Sequence, residues 1–313
     1  MIGTVYKSTG SWYDVKTADG QTFQSRIVGK LRLDDLRSTN PIAVGDKVEL
    51  LLDDDGTASI QSVVPRTNYV LRQSPRKKHN VHLLAANVDQ ALLIVTMIEP
   101  NLKPGFIDRF LMMTEPYNIP VIIAFNKCDL HGEQEELEYN FYKTVYENIG
   151  YTVLHCSAHS GEGIVKLADL LHNKITLIAG QSGVGKSSLV NAVQPGMELR
   201  TSEISDYSGK GQHTTTFAEM YDLHMGGQII DTPGIKTLGF NHLEVMDIAH
   251  NFREFFTLSK ECKFADCTHR NEPHCAVKNA LKEGWISEHR YQNYLNLLSE
   301  VEDQNYWERH NDM

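Results

Sequence analysis

The chain has 313 residues, 41% of them hydrophobic and 22% charged, with a formal net charge of −10 at pH 7. That length suits two or three domains, and the composition is that of a globular protein. No apolar run approaches the roughly 20 residues of a membrane span, the first residues lack a signal-peptide pattern, and the acidic balance disfavours a uniformly basic nucleic-acid binder. A cytoplasmic protein is expected.

From the N-terminus, residues 2–7, 12–16, 22–26, 47–52 and 58–64 read as short strands, rich in β-branched and aromatic side chains and separated by Gly- and Asp-containing turns. Five strands over residues 1–66 predict an all-β OB-fold barrel. Trp12, Tyr13, Arg26, Lys30 and Arg32 either form a face that stacks bases and holds phosphates or, for the aromatics, serve the barrel's own packing. The run from Arg66 to His79 carries Arg66, Arg72, Arg76, Lys77 and Lys78 and no acidic residue. It reads either as a solvated linker or as a contact for a phosphate backbone.

Residues 67–240 alternate apolar strands (91–97, 120–125, 152–155, 175–179, 216–223, 227–230) with helices (105–117, 135–149, 163–174 and one after Lys186). Such alternation predicts an α/β domain with a mostly parallel sheet, whose ligands sit at the carboxyl ends of the strands. Each motif falls at such an end. After the second strand comes Asn126-Lys127-Cys128-Asp129. A carboxylate there can accept from both N1–H and N2–H of guanine, a pairing that adenine lacks. Asn126 would brace neighbouring loops, and the Lys127 stem would cover the base. After the third strand, Ser157 and Ala158 are small enough for a backbone N–H to reach the guanine O6. Cys128 and Cys156 are read as packing residues.

Gly180-Gln181-Ser182-Gly183-Val184-Gly185-Lys186-Ser187, followed by Ser188, matches the phosphate-loop pattern GxxxxGK[ST]. Its glycines let successive N–H groups face a phosphate at the N-terminus of the next helix. Lys186 would reach the β and γ phosphates, and Ser187 would hold Mg²⁺. In residues 201–217, one of Thr214, Thr215 and Thr216 would also ligate Mg²⁺, with Thr215 favoured. His213 is either the group that orients or deprotonates the attacking water or an exposed loop histidine. Asp231 would hold Mg²⁺ through water, and the Gly234 N–H would meet the γ phosphate. Ile235 stands where many GTPases carry a water-positioning glutamine, so unaided hydrolysis is expected to be slow.

The guanine-reading motif precedes the phosphate loop, the reverse of the usual GTPase order, so the domain is circularly permuted. Barrel, permuted GTPase and cysteine-rich tail together resemble the RsgA (YjeQ) family, and the resemblance covers nearly the whole chain. It implies a GTPase, with GTP or GDP and Mg²⁺, that matures the small ribosomal subunit, is stimulated by it and contacts its RNA. No membrane and no second copy of the chain are expected as partners. The motifs also suit two other classes: a GTP-gated binding module, and a nucleotide-dependent metabolic enzyme such as a kinase, which the guanine motif disfavours.

Of the five cysteines, Cys262, Cys267 and Cys275 lie close together in the last quarter of the chain. With a histidine they make a Cys₃His set suited to one structural Zn²⁺. Spacing allows either His269 or His274, and the resemblance favours His269. Helices are expected at 246–258, 273–283 and 287–309, the last with Tyr291, Tyr294, Leu295 and Leu298 on one stripe. The expected domains are 1–66 (RNA-binding barrel), 67–240 (permuted GTPase) and 241–313 (helical zinc-binding domain).

Overall fold

The structure is a computed structural model that describes residues 1–28, 40–73, 81–197, 218–232 and 243–310, with the main chain alone at 72, 73, 81 and 304–310. Strands β1 (Ile2–Ser8), β2 (Tyr13–Thr17), β3 (Thr22–Ile27), β4 (Lys47–Leu52) and β5 (Ala58–Val63) run in the order β1-β2-β3-β5-β4, and β1 pairs with β4 to close the barrel. Period-2 alternation turns Val5, Tyr13, Val15, Val48, Leu50, Ala58 and Ile60 inward as the barrel core. Tyr13 is thus a packing residue. Trp12 is exposed, with the Arg26 guanidinium 5.9 Å from its ring centroid.

The run after the barrel is not simply a linker. β6 (Tyr69–Gln73) pairs with β7 (Val81–Ala86) as an antiparallel two-stranded sheet. Arg66 is committed to the fold: it donates to both carboxylate oxygens of fully buried Asp46, each at 2.7 Å, and to the Pro41 carbonyl. That geometry withdraws it from the candidate phosphate contacts.

The central sheet contains β8 (Gln90–Val95), β9 (Val121–Phe125), β10 (Thr152–His155), β11 (Ile175–Gly180), β12 (Glu219–Asp222) and β13 (Gln228–Asp231). Its order is β10-β9-β8-β11-β13-β12, parallel except for antiparallel β12. Helices α1 (Phe106–Thr114), α2 (Glu133–Asn148), α3 (Ile164–Leu171) and α4 (Lys186–Val193) connect the strands. The apolar runs of β8 and β9 divide their side chains between two cores. Leu93, Val95, Ile123 and Phe125 join Phe110 and Leu111 on one face, while Leu92, Ile94, Ile122 and Ala124 join Leu167, Leu171 and Leu189 on the other.

The C-terminal helices are α5 (Val245–Asn251), α6 (Arg253–Ser259), α7 (Ala276–Lys282) and α8 (Glu288–His310). The helix expected at 246–258 is broken at Phe252, whose extended backbone (φ −86°, ψ 105°) carries a fully buried ring to within 5.2 Å of the Tyr294 ring. This region shares the core of the α1 face of the central sheet. At its base Arg290, 1% exposed, donates to Asp108 Oδ1 at 2.5 Å and to both Glu254 oxygens at 2.8 and 2.9 Å. Tyr146 and Asn293 also donate to Asp108. Burying such charges is tolerable because every carboxylate oxygen of Asp108 and Glu254 has at least one donor.

One seam joins barrel and central sheet. Lys7 of β1 stands opposite Glu219 of β12, with a 3.1 Å ion pair between their side chains. Tyr6 and Lys16 both donate to Asp222, at 2.8 and 2.5 Å.

Candidate nucleotide site and metal centre

The motifs converge at the carboxyl ends of β9, β10, β11 and β13. The phosphate loop runs from the end of β11 into α4, and Gly180, Gly183 and Gly185 all have positive φ. Gly185 is required for a specific reason: a Cβ there would lie 2.5 Å from Asn126 Nδ2. That space lets Asn126, 1% exposed, donate to the Val184 carbonyl at 2.8 Å while its Oδ1 accepts from the Ala158 N–H at 3.3 Å. One side chain thereby ties the loops after β9, β10 and β11 together. Ser157 donates its hydroxyl hydrogen to Asp129 and accepts from the N–H groups of His159 and Ser160.

Lys127 is in a left-handed backbone conformation, and its ammonium donates to the Glu99 carbonyl. The Glu99–Pro100 loop after β8, whose Pro100 faces Gly183, also borders the site. No motif announces it in the sequence. Lys186 arches over its own loop, donating to the carbonyls of Gly180 at 3.0 Å and Gln181 at 2.9 Å. Burial lowers its pKa, against the attraction of Asp231. Burial likewise pushes the Asp231 carboxyl up to about 6, against the attraction of Lys186. The buried site disfavours charge on both, and a bound phosphate and divalent cation are the groups that would reverse this. Gln181, Ser182, Ser187 and Ser188 occupy the loop and the first turn of α4. Thr232 donates to the Ile178 carbonyl at 3.1 Å, holding the chain beyond Asp231 against β11. His213, Thr215, Gly234 and Ile235 lie outside the described residues, as do Lys30, Arg32, Arg76, Lys77, Lys78 and His79.

The second centre gathers Cys262, Cys267, His269 and Cys275, with one ligand atom from each lying within 4.8 Å of all the others. His269, and not His274, is the histidine of this group. Ligands around tetrahedral zinc at about 2.3 Å (S) and 2.0–2.1 Å (N) stand about 3.8 Å apart for S–S and about 3.6 Å for S–N. The separations are 4.0 Å for Cys262–Cys275, and 3.7 and 3.4 Å from Cys262 and Cys275 to His269 Nδ1. Donor chemistry and spacing both fit one zinc ion with no open position. Burial lowers the His269 pKa, which favours the neutral imidazole that a metal ligand requires. The surrounding turn is fixed by Tyr291 and Tyr294, which donate to the carbonyls of His269 and Thr268 at 2.8 Å. Glu272 accepts from the Thr268 N–H and hydroxyl and from the Arg270 N–H. Burial raises its pKa, but these bonds outweigh that and hold the carboxyl at about 2.

A closed five-stranded barrel, a P-loop domain with its base-side loops ahead of its phosphate loop, and a Cys₃His helical region define a circularly permuted GTPase. Residues 2–60 match the RsgA N-terminal domain, and residues 63–241 match the RsgA GTPase domain. The chain belongs to the RsgA GTPase family. It is 48% identical over 306 residues to the small ribosomal subunit biogenesis GTPase RsgA of Bacteroides fragilis, covering 98% of this chain and 99% of that one. The crystal structure of YjeQ from Thermotoga maritima superposes with a TM-score of 0.78 at 34% identity, over 96% of this chain and 98% of that one. YloQ, described as a circularly permuted GTPase, superposes with a TM-score of 0.75 at 30% identity, over 97% of this chain and 95% of that one. Among the described residues no helix is long and apolar enough to cross a membrane.

Proposed function

We propose that the chain binds GTP, hydrolyses it to GDP and phosphate in response to the small ribosomal subunit, and acts in that subunit's maturation. The observation that carries the reading is the Asn126 bridge, which joins the Asn126–Asp129 loop to the phosphate loop as one nucleotide cradle. In it Asp129 reads the guanine N1–H and N2–H, the Lys127 stem covers the base, and the backbone around Ser157 and Ala158 faces O6. Backbone N–H groups of residues 180–188 and the Lys186 ammonium hold the phosphates. Ser187, Asp231 and Thr215 would hold Mg²⁺, which neutralises charge developing on the phosphoryl oxygens. The Gly234 N–H meets the γ phosphate. Because Ile235 follows Gly234 in the sequence where a glutamine would position water, His213 is the residue we assign to orient the attacking water.

The working division is 1–66 for the barrel, 67–240 for the GTPase and 241–313 for the zinc-binding domain. The barrel's Trp12–Arg26 pair supports RNA contact by stacking and charge, and the compartment is the cytoplasm. Ile235 also supports a second reading, a GTP-gated RNA- or protein-binding module in which turnover is incidental. Measuring GTP and ATP turnover of the full chain with and without small subunits decides between them. Stimulated, GTP-selective turnover is expected; turnover that subunits leave unchanged would overturn the first reading.

A further inference from the structure

Behind the two loops assigned to the base lies a group of side chains with no part in the proposed chemistry. Three donor atoms converge there. His131 Nδ1 is 3.1 Å from Glu136 Oε1, His155 Nε2 is 3.2 Å from the same oxygen, and the two ring nitrogens are 3.3 Å apart. Tetrahedral ligands at about 2.0–2.1 Å from zinc are separated by about 3.3 Å, so this near-equilateral triangle has the dimensions of one face of a zinc tetrahedron. Among Cys262, His269 and Cys275 of the same chain the corresponding distances are met equally closely.

Proton counting separates this arrangement from an ordinary hydrogen-bonded cluster. His155 Nδ1 lies 3.1 Å from Glu162 Oε1, so in a neutral ring the proton sits there and Nε2 turns its lone pair toward the centre. A carboxylate behind the far nitrogen is the partner that orients a metal-ligating imidazole. Glu136 also offers a lone pair. Neutral His131 supplies at most one proton to this triangle. The His131 side chain is 1% exposed, and its Nε2 is buried with no partner. Whichever nitrogen of His131 carries its proton, the lone pairs of His155 Nε2 and Glu136 Oε1 then face each other at 3.2 Å, and a cation between them relieves that repulsion.

We infer that His131, Glu136 and His155 form a second metal site, taking a divalent transition ion of the zinc class. Two imidazoles and a carboxylate suit that ion. Tyr139 stacks on the His155 ring at 4.2 Å between centroids and fixes its plane. The fourth position is open on the solvent side, where the Glu136 side chain is 42% exposed. The site straddles the chain segments that continue from Asp129 and lead into Ser157, so the ion cross-links their supports.

The test is zinc counting on the full chain without nucleotide, so its outcome does not depend on the proposed GTP chemistry. Protein dialysed against metal-free buffer is titrated with zinc chloride and analysed for bound metal. Wild type is expected to retain one equivalent at the Cys₃His centre and to take up a second. Glu136→Gln and His155→Ala are expected to lose the second alone, and Glu162→Gln to weaken it about tenfold or more through the His155 ring. Retention of the first equivalent reports that a variant is folded; if His155→Ala loses it, the more exposed Glu136→Gln decides. A wild type that takes up no second equivalent, leaving a proton as the cation, would overturn the site. So would an undiminished second equivalent in Glu136→Gln.

Discussion

Asn126 Nδ2 donates to the Val184 carbonyl at 2.8 Å, spanning 58 residues of sequence to tie the loop after β9 to the phosphate loop. Replacing Asn126 with alanine leaves that carbonyl and the Ala158 N–H without this partner, at a cost of about 1–3 kcal/mol. Since about 1.4 kcal/mol is tenfold in affinity, GDP binding should weaken by about tenfold or more. A fluorescent-GDP titration checks it.

Gly185→Ala should also weaken GDP binding, because it places a Cβ 2.5 Å from Asn126 Nδ2 on a backbone with φ +83°. The left-handed backbone alone costs about 1–2 kcal/mol; the clash adds to it. In the Asn126→Ala background the clash is gone, so the same substitution should cost less there. Equal losses in both backgrounds, measured as a double-mutant cycle, would show that the two residues do not oppose each other.

Arg290→Ala strands Asp108 and Glu254 in the shared core, a loss expected at about 3–5 kcal/mol. Lysine should not restore it, since one ammonium cannot reproduce the guanidinium's two bonds to Glu254 and one to Asp108. Denaturant unfolding of the three proteins tests both expectations.

The motifs around this core were legible because each is local: a few consecutive residues at a strand end suffice for the loops at 126–129 and 180–187, and fourteen for the Cys₃His set. The barrel strands and the parallel core followed from alternation and apolar runs. What escaped depends on distant partners. Residues 246–258 have an uninterrupted helical pattern, and the chain breaks it at Phe252, whose buried ring packs on the distant Tyr294 and Arg290. Residues 69–73 and 81–86 were obscured by the charged run between them, although they pair as strands. Arg290 sits on a helix that otherwise advertises its tyrosines and leucines, and nothing local distinguishes it from a solvated arginine.

Asp222 gives the barrel seam a pH dependence. Burial raises its pKa, but bonds from Lys16, Tyr6 and Gln228 outweigh this and bring it below the ordinary 3.8. A carboxyl whose folded pKa is depressed stabilises fully above its unfolded value and loses that contribution as pH falls through the folded one. The side chain is 44% exposed, so solvent screening limits its contribution to about 1 kcal/mol or less. Asp222→Asn should therefore lower the urea midpoint slightly at pH 7, with the difference shrinking below pH 3.8. A difference that grows with acidity would contradict the assignment.

Removing zinc should unfold the C-terminal region selectively. Cys275→Ser, or chelation of the wild type, is expected to expose amides of residues 262–282 to rapid exchange. Residues of β8 and β9, buried between two apolar cores, should stay protected. Hydrogen exchange read by mass spectrometry distinguishes this from global unfolding, in which both sets would exchange together.

The seam between β1 and β12 bears on how far such proteins can be recombined. The barrel contributes Tyr6, Lys7 and Lys16, and the central sheet answers with Glu219 and Asp222, on the strand that follows the segment holding His213 and Thr215. The barrel is therefore not an interchangeable cassette. A chimera carrying a relative's barrel inherits a mismatched joint unless these five positions travel as a set, and the strand it disturbs is the one that continues the chain from the segment proposed to supply His213 and Thr215.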